Sequence, residues 1–187
     1  MPRLFSYVVQ HDYGYAPNPE SGFCSLAKCK YGSGGRKNII ELAEVGDWIA
    51  GTGGADLRVS AGHGKLIYSM HVEEKLTLLE YHRDPRFRGR RDNEARDAHL
   101  QDRYALISSF YYYFGRNAPD LSGPPARHLQ HPFEKRGPGH RSDFPEEFIG
   151  DFARWLASRW EIGQHGTPCG DGPASSLQVL KRSRCAK

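Results

Sequence analysis

A chain of 187 residues and 21.1 kDa has room for one domain with a real hydrophobic core, or for one domain and a tail. No run approaches the ~18 apolar residues that a spanning helix needs, which excludes a membrane bundle. The 21 Gly and 12 Pro exclude a coiled coil, and 12% aromatic residues exclude a wholly disordered chain. The net charge of +4 is uneven, −1 over residues 1–82 and +5 over residues 83–187, so the second half either faces a polyanion or is solvated surface.

Arg3 leads into a short apolar stretch that ends at Gln10, which is not a secretory signal. A cytoplasmic protein with reduced thiols and no membrane partner is therefore expected. Residues 3–10 are rich in β-branched and aromatic types and predict a buried strand. Residues 11–35 are dense in Gly, Pro, Asn and Tyr, and predict a structured loop with a short helical turn near residues 25–28. Connections this long are uncommon in compact domains unless they carry function. Across residues 39–51 an apolar patch passes through a turn at Gly46 and Asp47 into a strand beginning at Trp48. Residues 65–72 alternate, with Leu66, Tyr68, Met70 and Val72 on one face and Ile67, Ser69 and His71 on the other.

Thr77 and Glu80 have the capping-box spacing, which starts a short helix that stops before Pro85. Residues 88–103 are charged, mixed in sign and without apolar periodicity, and predict an exposed loop or a short surface helix. Residues 104–114 predict one further strand, and residues 117–142 an irregular basic segment. Asp143 predicts the cap of a last helix, with Pro145 in its first turn and Glu146 at the box position. Phe148, Phe152, Trp155 and Leu156 then recur at helical spacing as its packing face. After Gly163 the composition shifts to Gly, Pro, Ser and basic residues. A single domain over residues 1–162 and a mobile basic tail over 163–187 are expected. Without β-α-β alternation, the order argues against a doubly wound sheet and for an α+β fold: a small twisted sheet or open β-barrel with flanking helices.

Candidate chemistry sits on strand ends and loops. Asp12 either accepts from an exocyclic amine, acts as a general base, or caps its own turn. Tyr13 and Tyr15 either stack on a base or cover the core, and Asn18 closes the same polar segment. Gly51, Thr52 and Gly53 follow a strand start; glycines there let backbone amides approach a phosphate or base, or form a plain hairpin turn. The spacing fits neither a dinucleotide fingerprint nor a Walker loop. Lys135, Arg136 and Arg141 share a Gly/Pro-rich loop with His131 and His140, and form either a phosphate clamp or a solvated connector. Cys24 and Cys29 have a loose metal-like spacing without two further ligands at defined positions, so free thiols are expected there and at Cys169 and Cys185. No hydrolase elbow, zincin motif or deaminase motif occurs, and the sequence defines no cofactor.

Several segments together carry a resemblance: LFSYVVQHDYGYAPNP (residues 4–19), GFCSLAKCKYG (22–32), VGDWIAGTGG (45–54), KLIYSMHVEEKLTLLEYHRDPRF (65–87), SSFYYYFG (108–115) and GPGHRS (137–142). In this order they resemble the second nucleotide modification associated domain family, over about residues 3–160. That resemblance implies a bacterial or phage protein of a DNA base-modification system, with a nucleotide or DNA as partner and other proteins of the system beside it. A more distant similarity is to PUA-like domains of the EVE and ASCH type, which hold a base or nucleotide in the pocket of a small barrel.

Two functional readings follow. In a binding module, Tyr13, Tyr15 or Trp48 stacks on the base, Asp12 and Asp47 accept hydrogen bonds from it, and Lys135, Arg136 and Arg141 neutralise phosphate. In a base-modifying enzyme, Cys24 or Cys29 is the nucleophile, with Asp12 or His140 as acid or base. A protein-interaction domain is a third, less specific option. The first two readings expect the long loop to fold over Trp48, enclosing a base-sized cavity between Asp12, Tyr15 and Trp48.

Overall fold

In a computed structural model, residues 1–27, 38–94, 103–121 and 139–171 are described. The apolar run at the start forms β1 (Leu4–Val9), with every residue buried. It pairs in parallel with β3 (Trp48–Gly53), in a register running from Leu4 opposite Trp48 to Val9 opposite Gly53. Between them lie β2 (Cys24–Leu26) and α1 (Ile39–Leu42), whose Asn38 and Glu41 form a capping box. The expected helical turn near residue 25 is thus a strand. β4 (Leu66–His71) runs antiparallel to β3, followed by β5 (Glu74–Thr77) and α2 (Leu78–Arg83). Thr77 and Glu80 form the expected box, and the helix stops before Pro85.

The expected strand over residues 104–114 is two strands, β6 (Tyr104–Ser108) and β7 (Tyr111–Tyr113), in different sheets. The Glu73 carboxylate makes the break, accepting from the Ser109 amide at 2.5 Å, the Ser109 hydroxyl at 2.7 Å and the Phe110 amide at 3.2 Å. A short β8 (His140–Arg141), the helix α3 (Glu146–Ala157) and β9 (Gly163–Gln164) complete the chain. The result is an α+β fold with two open sheets, of order β8-β1-β3-β4-β7-β9 and β2-β6-β5.

Both faces of the larger sheet are covered. In β4, Ile67 and Ser69 are as completely buried as Leu66, Tyr68 and Met70, and the Ser69 hydroxyl donates to the Ile49 carbonyl at 3.0 Å. Phe148, Phe152, Trp155 and Leu156 of α3 join this core as their spacing implied. Asp143, however, does not cap α3: the cap position is Pro145 without a side-chain bond, and Asp143 instead accepts from Arg141 at 2.9 Å. A second, smaller core of Leu78, Tyr81, Phe87, Ala105 and Ile107 lies under α2.

The residues from Gly163 to Asp171 do not open a mobile tail. β9 pairs in parallel with β7, and the His165 amide donates to the Tyr113 carbonyl at 2.7 Å. A Cβ at Gly166 would lie 1.9 Å from the Phe114 carbonyl oxygen, so the backbones touch there. Residues 172–187 of the expected tail lie outside the described residues.

Candidate functional site

The parallel register separates two ends of the molecule. Asp12 follows the end of β1, while Trp48 begins β3 opposite Leu4. The ladder between them spans about 17 Å at the rise of a parallel strand. The expected cavity joining Asp12, Tyr15 and Trp48 is therefore not formed, and each end builds its own cleft.

At the Asp12 end, three chain segments meet on one carboxylate. Asp12 is fully buried. Its Oδ1 accepts from the Tyr113 hydroxyl at 2.6 Å and the Gly14 amide at 3.4 Å, and its Oδ2 accepts from the Cys169 amide at 3.1 Å. Its backbone donates to the Val59 carbonyl and accepts from the Gly170 amide. Burial, then the Asp12 charge and hydrogen bond, push the Tyr113 phenol well above its ordinary range, so it stays a donor. Asp12 is an anchor for the loop and the C-terminal segment, not a free base or a free acceptor for an amine.

A second buried carboxylate anchors the rest of the loop. Asp92 accepts from the Asn18 side-chain amide at 2.7 Å, the Ser25 hydroxyl at 2.5 Å and the Tyr81 hydroxyl at 3.1 Å. Its neighbour Arg90, 4% exposed, donates to the Asn18 carbonyl at 2.8 Å, to the Ser25 hydroxyl at 2.9 Å and to the Glu20 carbonyl. Its Nε stands 3.6 Å from Asp92. Residues 90 and 92, expected in an exposed stretch, are thus the clamp on residues 18–25.

Arg91, between them, faces the other way. Its Nη2 donates to the Tyr13 carbonyl at 2.9 Å and the Gly14 carbonyl at 3.3 Å, and its remaining nitrogens have no partner among the described residues. With Gly14, Asn18, Pro19, Glu20, Ser21, Gln164 and Pro168 it lines a cleft of about 370 Å³. Gly14 has φ +63°, and a Cβ there would lie 2.7 Å from Cγ of Pro168, so only glycine fits this wall. The cleft's volume is at the lower end of small-molecule sites.

The opposite cleft, about 480 Å³, is lined by Arg3, Glu44, Asp47, Trp48 and His71 with residues 1, 2, 45 and 46. Its Asp47 carboxylate is committed to groups of the same cleft. Asp47 accepts from the Arg3 amide at 2.8 Å, the Arg3 guanidinium at 2.7 Å and the Glu44 amide at 2.9 Å. Trp48 is 6% exposed and packs on His71, Phe110 and Phe152. It belongs to the core rather than forming a stacking plate, and Asp47 holds a turn rather than a base.

The other expected residues disperse. Gly51, Thr52 and Gly53 are neither turn nor phosphate loop but buried β3 interior, where a Cβ at Gly51 would lie 2.4 Å from the Tyr68 ring and one at Gly53 1.9 Å from the Gly62 carbonyl. Thr52 donates to the Tyr7 carbonyl at 3.2 Å. Tyr13 stacks on His11 at 5.7 Å and Tyr15 donates to Glu94 at 2.8 Å; neither ring lines the cleft. Among the described residues, Asn18 alone of the expected binding residues does.

Cys24 is fully buried, and burial pushes its thiol far up, so it is a core residue and not an activated nucleophile. His140 and Arg141 form β8 beside Tyr7 and Ser6, with Arg141 over the Phe144 ring at 4.9 Å, away from the cleft. Cys29, Lys135 and Arg136 lie outside the described residues. Glu20, Arg91, Gln164 and Pro168 were not foreseen. The only local signal was the mixed-sign run Arg90-Arg91-Asp92 after Gly89, and the paired burial of its outer members is invisible without the partners.

Among the described residues, no group of three or more His, Cys, Asp or Glu is placed to hold a metal ion, and no helix is long and apolar enough to cross a membrane. A family model described as nucleotide modification associated domain 2 matches residues 1–99 and 88–172. No curated protein and no solved structure matches the chain.

Proposed function

The chain belongs to the nucleotide modification associated domain 2 family, and from that premise we propose that it is a binding module that holds a modified base or nucleotide in a DNA base-modification or phage-defence system. The observation that carries this reading is the cleft beside Asp12, in which Arg91 keeps nitrogens without partners among the described residues. A guanidinium so placed suits a phosphate, which it binds through two parallel N–H bonds. The loop is already fixed by Asp12 and Asp92, so binding costs little ordering entropy. The partners in this reading are a nucleotide or DNA and other proteins of the modification system, in the cytoplasm. Thiol chemistry at Cys24 is disfavoured, because that sulfur is buried and held protonated.

Titration calorimetry of the full chain with 5-methyl-2′-deoxycytidine monophosphate, and with duplex DNA carrying the same base, tests the proposal. Saturable binding to at least one of them is expected. Arg91→Met is expected to weaken it about tenfold or more, with cooperative unfolding retained and stability lowered by no more than about 1 kcal/mol for the lost bonds to Tyr13 and Gly14. Wild-type affinity in Arg91→Met, or no binding to either probe, would overturn it.

A further inference from the structure

We infer that the cleft selects nucleotides whose base presents an exocyclic amine; this rests on the reading of the cleft as a nucleotide site. The orientation of two amides supports it. The Asn18 side chain turns its nitrogen to Asp92, donating to Oδ1 at 2.7 Å. Asn18 is 2% exposed, and its backbone N–H and C=O are taken by Ser25 and Arg90. Of the polar atoms of Asn18, only Oδ1 has no partner among the described residues, and Asn18 lines the cleft. By the same logic the Gln164 nitrogen, 2.8 Å from the Gly166 carbonyl, leaves its Oε1 as an acceptor.

Glu20 adds a carboxylate, whose only bond among the described residues is a long one from Asn18 at 3.4 Å. Pro19 and Pro168 bring no N–H to the walls. The cleft therefore offers acceptors at Asn18, Glu20 and Gln164 and one cation at Arg91, with the Ser21 hydroxyl able to serve in either sense. The complementary ligand carries donors on one part and an anion on another. A nucleotide with an amino base meets both demands: the amine donates to Glu20 and Asn18, and the phosphate pairs with Arg91. A base with a carbonyl in place of that amine would set oxygen against a carboxylate.

The test uses 5-methyl-2′-deoxycytidine monophosphate and thymidine monophosphate, which share the C5 methyl and differ along one edge, at C4 (amine against carbonyl) and at N3 (acceptor against N–H donor), so that only the first presents an exocyclic amine. Calorimetric titration of the full chain is expected to give about tenfold or more tighter binding of the amino nucleotide. Glu20→Gln, whose amide can donate to a carbonyl, is expected to bring the ratio within about threefold at an unchanged melting temperature. Equal affinities in the wild-type chain would overturn this inference while leaving the cleft as a nucleotide site. An unchanged ratio in Glu20→Gln would also overturn it. If neither nucleotide binds, this inference falls, and the underlying reading falls with it when the duplex carrying the methylated base does not bind either.

Discussion

The two ends of the β1–β3 ladder use buried carboxylates in opposite ways. At the Trp48 end, Asp47 is satisfied by a guanidinium from Arg3 and by two backbone amides, so charge neutralises charge within the cleft itself. At the far end, Asp12 and Asp92 are satisfied by Tyr113, Cys169, Gly14, Asn18, Ser25, Tyr81 and Arg90, which tie the loop to the core. The cleft in front keeps Arg91, Glu20 and the Asn18 oxygen for something else. A large cleft alone is thus a poor guide to a site: in the 480 Å³ cleft the Asp47 carboxylate is committed to Arg3, whereas the smaller 370 Å³ one presents Glu20 and the remaining Arg91 nitrogens without close partners among the described residues.

The comparison breaks first on stability. Asp92→Ala strands a buried guanidinium and three donors, and is expected to cost about 3–5 kcal/mol, read from the urea midpoint at constant m-value. Asp47→Ala is expected to cost less, about 1–2 kcal/mol, because Arg3 is 46% exposed and can turn to water. Equal losses would mean that the two ends are not built differently. Gly53→Ala probes the strand joining them: a Cβ 1.9 Å from the Gly62 carbonyl forces the backbones apart, for about 1–3 kcal/mol in the same measurement.

A smaller effect is expected with pH. Burial raises the Cys24 thiol above its ordinary value of 9.0, and burial with Asp12 raises Cys169 to about 12. Above pH ~9 the unfolded chain releases these protons while the folded chain keeps them, so stability present below that pH is lost as pH rises. The slope is at most about 1.4 kcal/mol per pH unit for each thiol. Urea midpoints from pH 7 to 10.5 should fall less steeply in Cys24→Ala than in the wild type, and parallel curves would contradict the assignment.

Elements set by local chemistry were legible in the sequence. The Thr77–Glu80 box and the α3 face of Phe148, Phe152, Trp155 and Leu156 each depend on residues within a few positions of one another. Features set by distant partners were not. The break between β6 and β7 depends on Glu73, more than thirty residues away in the chain. Arg90 and Asp92 read as solvated charge because Asn18 and Ser25, which bury them, come far earlier. The parallel pairing of β1 with β3 decided which loop meets which strand end, and no local pattern carries that register. Asn18 lines the cleft, whereas the neighbouring tyrosines turn to His11 and Glu94.

A crystal structure of the full chain soaked with 5-methyl-2′-deoxycytidine monophosphate tests the central claim most directly. The nucleotide is expected beside Asn18, with its phosphate on Arg91 and its amine on Glu20. Density for it in the Arg3–Trp48 cleft instead, with the Arg91 cleft empty, would contradict the account.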